Sequence, residues 1–250
     1  MRDPARAVIF GQRAETYDRA RPGYPSEAIQ HLQSLVELNN ALEVGAGTGK
    51  ATVDMARPGL RITCLEPSHE MAEILGAKDL PSVEVVVSTF EDWSGARDGV
   101  DLIYAAQAWH WVDPGTGYDR ALGLLRQGGA LALMWNVPLD RYGMFDAVYD
   151  ELAPDLLSEH DERIKKRDSV TWLDDMRAAG FESLHHFCHE WSQTLSAAEL
   201  RALYSTYSDH MALPMEQREP LLDGLAAEVG RRGGSIEIAY RTNVFSGLAP

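Results

Sequence analysis

The sequence predicts an α/β fold in which a mostly parallel sheet is covered by helices on both faces. In the first half of the 250-residue chain, short apolar segments with strand character alternate with helical segments. Buried parallel strands are apolar along their whole length because helices cover both faces of the sheet. A turn with three glycines, at 45–49, joins the first predicted strand to the helix that follows it. Together these observations indicate one α/β domain.

Seven segments are predicted as strands, five of them in the first half of the chain. The five are apolar runs at 41–45, 61–66, 83–88, 100–106 and 129–136. The helical segments between them begin at 50, 68 and 114. Ser68 is predicted to cap the second of these helices, and Asp113 with Pro114 to start the third, which Gly128 and Gly129 would end.

After Asn136 the alternation stops. An irregular, helical stretch is followed by an amphipathic helix ending at Gly180, a long strand "ESLHHFCHEWSQTL", a second helical stretch and a closing strand "SIEIAYRTNVFS". We therefore predict a single domain, 1–250, with four parts. These are an N-terminal arm (1–30), a core (31–136), a helical cap (137–167 and 195–235) and the remainder of the sheet domain (168–194 and 236–250).

Composition limits the classes of partner. Hydrophobic residues make up 45% of the chain and charged residues 24%, which is typical of a soluble globular protein, and no apolar run approaches the ~20 residues that cross a bilayer. The net charge of −15 opposes binding to a nucleic-acid backbone, and the basic segment Arg163–Arg167 is predicted as a solvated helix face. Only Cys64 and Cys188 are present, so no disulfide framework is expected. We expect a cytoplasmic protein without nucleic-acid or membrane partners.

The glycine turn carries the first functional prediction. Gly45, Gly47 and Gly49 lie between a strand and a helix, where backbone approaches a nucleotide-like ligand closely. Their GxGxG spacing differs from the GxGxxG that dinucleotide enzymes prefer, and the preceding Glu43 suits a ligand that bears an ammonium group. Glu66 follows the second strand, at the position where an acid accepts hydrogen bonds from ribose hydroxyls.

Five segments, in this order and spacing, carry a resemblance to a known family. They are "EVGAGTGK", "CLEPSHEM", "STFEDW", "AAQAWHWVD" and "LLRQGGALALMWN". With them the chain resembles class I S-adenosylmethionine-dependent methyltransferases. The opening "FGQRAETYDRARPGYP" is similar to a small-molecule branch that includes trans-aconitate methyltransferase-like proteins. The resemblance implies S-adenosyl-L-methionine as cofactor and a Rossmann-like, doubly wound, seven-stranded sheet with an antiparallel edge strand and a cap formed by insertions.

The resemblance also implies which residues hold the cofactor. The backbone at Gly45, Ala46 and Gly47 would contact its methionine part, and Glu66 its ribose. The residues implied on the adenine side are Pro67 and Met71 on its faces and Thr89, Phe90 and Glu91 at its edge. Many relatives have an aspartate where this chain has Ser88, so adenine recognition would rest here on backbone groups.

The arm has helical spacing of its own. Phe10, Ala14, Tyr17 and Arg21 recur on one helix face, and the prolines that follow would stop this helix. Arg21 is predicted to pair with the cofactor carboxylate and Tyr17 to close over the sulfonium. The alternative is that Phe10 and Tyr17 only pin the arm, with Arg21 on the surface.

The segment after the fourth strand is predicted to face the reaction. Gln107 and Ala108 would border the amino-acid end of the cofactor, and Trp109 and His110 the acceptor pocket. His110 would act as a general base or orient the acceptor, although a carboxylate acceptor needs no base. The alternative is core packing, which we favour for Trp111 and leave open for Trp109. Trp135, Tyr142 and Tyr207 are further pocket candidates by position, whereas His160, His186 and His210 are weaker ones.

These patterns favour methyl transfer to a small-molecule acceptor, most simply to an oxygen. The sequence has neither a [DN]PPY segment after the fourth strand nor the Pro-Cys nucleophile of nucleic-acid enzymes, and it lacks the Tyr-xxx-Lys relay of dehydrogenases. A regulatory or non-methylating member of the same superfamily remains the alternative. No carboxylate and histidine cluster indicates a metal, and a monomer or homodimer is expected.

Overall fold

The computed structural model describes residues 14–95, 99–140, 143–156 and 170–250. All seven predicted strands are present in one sheet of order β3-β2-β1-β4-β5-β7-β6. The strands are β1 (Asn40–Val44), β2 (Arg61–Leu65), β3 (Val83–Val86), β4 (Val100–Ala106), β5 (Leu125–Pro138), β6 (Glu182–Ser196) and β7 (Ser235–Leu248). Phe10, Tyr142, His160 and the segment Arg163–Arg167 lie outside the described residues.

Ten α-helices occur within the described ranges. They are α1 (Ala14–Ala20), α2 (Ser26–Ser34), α3 (Lys50–Met55), α4 (His69–Gly76), α5 (Gly117–Leu124), α6 (Asp146–Leu152), α7 (Val170–Ala179), α8 (Ala197–Tyr204), α9 (Ser208–Met211) and α10 (Met215–Arg231). Short 3₁₀ turns lie at Trp109–Trp111 and Gly143–Phe145. No helix in these ranges combines the length and the apolar character needed to span a bilayer.

The predicted Rossmann-like sheet is confirmed. Strands β1 to β5 are parallel, and β7 runs antiparallel to β5 on one side and to β6 on the other. The antiparallel pairing therefore occupies the edge of the sheet, where β6 is the last strand. The order reverses between β1 and β4, and in open α/β sheets ligands bind at the carboxyl ends of the strands at such a point.

Three apolar clusters hold the structure together. One lies on the sheet face covered by α5 and α7, and another on the opposite face, covered by α2 and α3. The third joins α6, α8 and α10 through side chains that include Tyr149, Leu200, Tyr204 and Leu225. Helices from both predicted insertions thus pack together, and the division into arm, core and cap stays a prediction.

The ends of helices α4 and α5 can be compared with the predicted helix caps. Ser68 caps α4 as predicted, because its hydroxyl accepts the backbone N–H of Met71. The predicted start of α5 at Asp113 and Pro114 is wrong: the Asp113 carboxylate binds the N–H of Gly115 in a turn, and the helix begins at Gly117. Its predicted end at Gly128 is also wrong, because β5 begins at Leu125 directly after the helix.

Candidate active site

The glycine loop packs tightly against the end of β4. Gly45, Gly47 and Gly49 all have positive φ, at 67°, 58° and 86°. A Cβ on Gly45 would lie 2.5 Å from the Cβ of Ala108, so a side chain cannot be placed there without displacing backbone. Two consecutive N–H groups, of Gly45 and Ala46, donate to the carbonyl of Leu65 at 2.8 and 3.0 Å. The loop is therefore fixed to the ends of β2 and β4.

Glu66 lies at the same edge, directly beside this loop. Its Oε2 accepts the N–H of Gly47 at 2.8 Å and its Oε1 accepts the N–H of Ser68 at 2.8 Å. Burial raises the pKa of the Glu66 carboxyl, and these two N–H groups oppose that rise. The predicted acid and the predicted loop thus form one contiguous polar surface.

Glu43 is held more deeply, with 1% of its surface exposed. Its Oε2 accepts hydrogen bonds from the hydroxyls of Thr52 and Tyr104 at 2.6 and 2.8 Å and is 3.7 Å from the Cys64 thiol. Burial raises the pKa of this carboxyl to about 7. Its Oε1 makes no hydrogen bond with the described residues, so one oxygen is fixed and the other is available.

Two adjoining clefts open at this edge of the sheet. The smaller, of about 280 Å³, is lined by the glycine loop, Glu43 and Ala106. The larger, of about 410 Å³, is lined by residues that include Gln107, Asn136, Tyr207 and Tyr240. Tyr17, Tyr24 and Lys50 line both clefts. These three residues therefore mark the junction of the two.

Arg21 fastens the arm to the turn after α8. Its Nε donates to the Thr206 hydroxyl at 2.9 Å and its Nη2 to the Thr206 carbonyl at 2.8 Å. The guanidinium lies over the rings of Tyr207 and Tyr17, at 4.4 and 5.2 Å from their centroids. Arg21 and Tyr17 both line the larger cleft, so the alternative with Arg21 on the surface is wrong.

Gln107 is held at the exit of β4 by its backbone and its side chain. Its φ of 61° is unusual for a residue other than glycine, and its N–H donates to Met134 at 2.8 Å. Its Nε2 donates to the carbonyl of Asn136 at 2.9 Å, and the Asn136 amide in turn donates to Gly23. These contacts connect β4, β5 and the arm at the wall of the larger cleft.

The tryptophans pack into the core beside the clefts. Trp109 is 3% exposed, and its ring lies between Phe90 and Tyr118, with centroids 5.6 and 5.3 Å away. Trp135 stacks on Trp172 at 4.6 Å. Neither indole is among the residues that line the two clefts, so core packing describes both. Their prediction as pocket walls overlooked α5 and α7, which cover this face of the sheet.

His110 and Trp111 lie at the rim of that core. Both are half-buried, and their ring centroids are 4.9 Å apart. His110 does not line either of the two clefts described here. Of the three weaker histidine candidates, the two within the described residues are placed elsewhere: His186 stacks on Phe245, and the fully buried His210 binds the Tyr149 hydroxyl at 2.8 Å.

The residues that the resemblance implies for adenine binding differ in burial and in the contacts that they make. Met71 is buried against the loop, with its Sδ 3.9 Å from where a Cβ on Gly47 would lie, and Pro67 is exposed. Thr89 donates to Asp92 at 2.8 Å, and Phe90 is buried. Glu91 accepts the backbone N–H of Asp113 at 2.8 Å. Met71 thus lies beside the loop and Pro67 is accessible, whereas the contacts of Thr89 and Glu91 stabilise the segment after β3.

Sequence reasoning missed several cleft residues. Tyr24, Lys50, Asn136 and Tyr240 were not predicted, although Lys50 directly follows the glycine loop and Tyr24 lies in the "RPGYP" that ends the arm. Their proximity in the sequence to the glycine loop and to the arm could have identified Lys50 and Tyr24 as cleft residues. Among the described residues, no group of three or more His, Cys, Asp or Glu side chains is arranged to hold a metal ion.

Comparisons with known proteins agree with this geometry. A family model for a methyltransferase domain matches residues 42–133. An uncharacterized methyltransferase from Mycobacterium bovis is 32% identical over 217 residues, which is 87% of this chain and 84% of that protein. An uncharacterized methyltransferase-like protein from Schizosaccharomyces pombe is 27% identical over 239 residues, 92% of this chain and 91% of that protein.

A solved structure shows that the fold is also that of a methyltransferase. A protein from Anaeromyxobacter dehalogenans that has been assigned as a type II methyltransferase matches with a TM-score of 0.64 at 22% identity, over 92% of this chain and 98% of that chain. Since the sequence identity to the mycobacterial methyltransferase extends over more than four fifths of both proteins, this chain belongs to the class I methyltransferases, which use S-adenosylmethionine as methyl donor.

Proposed function

We propose that this methyltransferase transfers the methyl group to an oxygen atom of a small molecule bound in the larger cleft. The observation that carries the proposal is that a cleft at the glycine loop and a second cleft beside it share Tyr17, Tyr24 and Lys50. A donor site and an acceptor site that meet at one junction allow two reactants to be held in line, and such alignment lowers the barrier of a displacement.

The residues at the loop fit the proposed cofactor. The backbone of Gly45 and Gly47 lines the smaller cleft, and Glu66 provides carboxylate oxygens at the same edge for ribose hydroxyls. The free Oε1 of Glu43 suits the ammonium group, and the Arg21 guanidinium beside Tyr17 suits the carboxylate. Met71 and Pro67 would contact the adenine faces, with the backbone at Thr89 to Glu91 along its edge.

The bound cofactor supplies an electrophilic methyl carbon on a positively charged sulfur. The chain's own residues would bind the acceptor, orient it and exclude water. Gln107, Asn136 and Tyr207 bring polar groups to the larger cleft, while the rings of Tyr17, Tyr24 and Tyr240 cover its walls. Aromatic faces tolerate a nearby cation. Because Trp109 and Trp135 lie in the core, we assign the aromatic wall of the acceptor pocket to these tyrosines instead.

We keep His110 as the candidate for a base or orienting group because it lies three positions after Gln107, which lines the larger cleft, although His110 itself does not line that cleft. A carboxylate acceptor is already ionised at neutral pH and needs no proton removed, whereas a hydroxyl acceptor does. We infer the oxygen acceptor from the similarity of the arm to the trans-aconitate methyltransferase-like branch. Location in the cytoplasm and a monomeric or homodimeric state also stay predictions from the sequence.

The test is a product assay with the purified chain. S-adenosylmethionine is incubated with a panel of carboxylic acids, phenols and amines, and products are weighed by mass spectrometry while calorimetry measures binding of S-adenosylhomocysteine. We expect methylated acids or phenols. Methylated amines alone would overturn the oxygen acceptor, and cofactor binding without transfer to any member of the panel would favour the regulatory alternative. Replacing His110 with Gln should leave transfer to a carboxylate within about tenfold of the parent rate.

A further inference from the structure

Lys50 is a half-buried cation at the junction of the two clefts. It is the first residue of α3, directly after the glycine loop, and it lines both clefts. Its ammonium forms no hydrogen bond or ion pair with any residue that the structure describes. A charged group that is partly removed from water and has no protein partner costs free energy unless a ligand provides one.

The surrounding charges do not provide that partner. Asp18, Asp54 and Lys78 act on Lys50 through space, and the Asp18 carboxylate is bound to Lys78 at 2.8 Å. Within the described residues neither Asp18 nor Asp54 forms a hydrogen bond or ion pair with Lys50. Burial lowers the pKa of Lys50, which is the expected effect of a site poor in water. The described lining of the larger cleft has Arg21 and Lys50 as its charged side chains and contains no Asp or Glu. The charged lining of the larger cleft is therefore positive in a chain with a net charge of −15, whereas Glu43 lines the adjoining smaller cleft.

Arg21 forms hydrogen bonds within the described structure, whereas Lys50 does not. Its Nε and Nη2 already donate to Thr206, and its face is covered by two tyrosine rings. The Lys50 ammonium has three donors, none of which is bound within the described residues, and this side chain lines both clefts. A carboxylate matches such an ammonium both in charge and as a hydrogen-bond acceptor.

We propose that Lys50 binds a carboxylate group at the junction of the two clefts. The proposal rests on the proposed function, because it assigns chemistry to the same site. A second positive charge beside a sulfonium is unfavourable unless an anion lies between or beside them. A bound carboxylate removes this repulsion, so the site selects anionic over neutral or cationic molecules. The acceptor can supply the group, or the cofactor's own carboxylate can, in which case Lys50 shares that carboxylate with Arg21, which lines the same cleft.

The experiment compares Lys50→Met, which keeps the apolar stem, with Lys50→Arg, which keeps the charge. Arg61→Met is the matched control, since it removes one positive charge at the exposed amino end of β2, the opposite edge of the sheet. Calorimetry measures S-adenosylhomocysteine and its decarboxylated analogue. Glutarate and benzoate, with their amides as neutral counterparts, are then titrated into protein saturated with S-adenosylhomocysteine. Thermal unfolding checks that each variant is folded.

The two sources of carboxylate give different results. If the acceptor supplies it, Lys50→Met weakens binding of glutarate or benzoate by about tenfold or more, while the amides and S-adenosylhomocysteine bind as before. If the cofactor supplies it, Lys50→Met weakens S-adenosylhomocysteine by a similar factor and leaves its decarboxylated analogue unchanged. In both cases Lys50→Arg should retain most of the affinity and Arg61→Met all of it.

The proposal is overturned if neither S-adenosylhomocysteine nor either carboxylate depends on Lys50, or if Arg61→Met has the same effect as Lys50→Met. The latter result would mean that net charge, not this side chain, governs binding. Failure of the unaltered chain to bind S-adenosylhomocysteine would instead contradict the proposed function, so the two failures can be told apart.

Discussion

The Glu66 carboxylate accepts the backbone N–H of Gly47 at 2.8 Å, which joins the acid after β2 to the glycine loop after β1. The contact follows from the sheet, because β1 and β2 are parallel neighbours whose last residues, Val44 and Leu65, are paired. The second carboxylate oxygen is held by the N–H of Ser68. Both oxygens are therefore oriented before any ligand arrives, which lowers the entropy cost of binding.

Replacing Glu66 with Gln should weaken binding of S-adenosylhomocysteine by about tenfold to a hundredfold. The substitution removes the charge that strengthens hydrogen bonds to ribose hydroxyls and replaces one acceptor oxygen with a donor that faces an N–H. Calorimetry measures the affinity. Glu84→Gln, at an exposed position of β3, is the control and should bind as the parent does. Equal affinity for the two variants would contradict the ribose role of Glu66.

Gly45→Ala tests the close approach of the loop to β4. The new Cβ would lie 2.5 Å from the Cβ of Ala108, at a φ of 67° that side chains rarely adopt. We expect destabilisation of about 1–3 kcal/mol together with loss of cofactor affinity, because the loop must move. Urea denaturation measures the change in the free energy of unfolding.

A second alanine substitution is the matched control for Gly45→Ala. Gly76 ends α4, and a Cβ there has no atom within 4 Å. Gly76→Ala should leave binding unchanged and stability unchanged or slightly higher, since alanine costs less backbone entropy in a helix. A destabilisation equal to that of Gly45→Ala would mean that glycine replacement itself, not the contact with Ala108, is responsible.

The sequence predicted the sheet and the loop with its acid because both depend on backbone pattern. Apolar runs and turn residues determine where strands end, and the parallel pairing of β1 and β2 then brings Glu66 to Gly47. The direction of a side chain beyond a strand depends on what packs over it. Trp109 follows β4 as predicted, but α5 covers it, so its ring faces Tyr118 rather than a cleft.

Long-range contacts explain the rest of what sequence reasoning missed. Arg21 binds Thr206, which is 185 positions further along the chain. No local pattern shows such a partner, and the same applies to Tyr240, which reaches the larger cleft from the middle of β7. Lys50 is different, since its position after the glycine loop was visible in the sequence. That its ammonium has no hydrogen-bond or ion-pair partner within the described residues is visible only in the folded chain.

Glu43 predicts a specific dependence of stability on pH. Burial raises the pKa of its carboxyl to about 7 from an ordinary value of 4.5. Between these values the folded chain keeps a proton that the unfolded chain releases, so this residue makes stability fall as pH rises through that range. The loss of folding stability amounts to roughly 3 kcal/mol. It is complete above about pH 7 and absent below about pH 4.5.

Glu43→Gln is the variant that isolates this effect, because an amide resembles the neutral carboxyl in shape and does not titrate. Urea denaturation of both proteins from about pH 5 to about pH 8 should show the variant gaining stability relative to the parent as pH rises. All other titrating groups are common to the two proteins, so the difference reports Glu43. Parallel stability profiles would contradict the raised pKa.

The pair of Asp18 and Lys78 predicts how the arm is held over the smaller cleft. Asp18 in α1 binds Lys78, just after α4, at 2.8 Å, and the two side chains are only 25% and 24% exposed. Lys78→Met should loosen α1, because the ion pair with the segment after α4 is lost and the remaining contacts, Arg21–Thr206 and Asn136–Gly23, hold the arm at its other end. A partly buried pair contributes about 0.5–1 kcal/mol, so we expect S-adenosylhomocysteine to dissociate about two- to fivefold faster.

The charge-exchanged double variant, Asp18→Lys with Lys78→Asp, separates the ion pair from the individual residues. It restores the opposite charges in reversed order, so it should recover much of the slow dissociation that either single substitution loses. Stopped-flow displacement measures the rate, and hydrogen exchange at the amides of α1 reports the arm itself. Faster dissociation in the double variant than in both single variants would show that Asp18 and Lys78 act independently, and the ion pair would then have no part in retaining the arm.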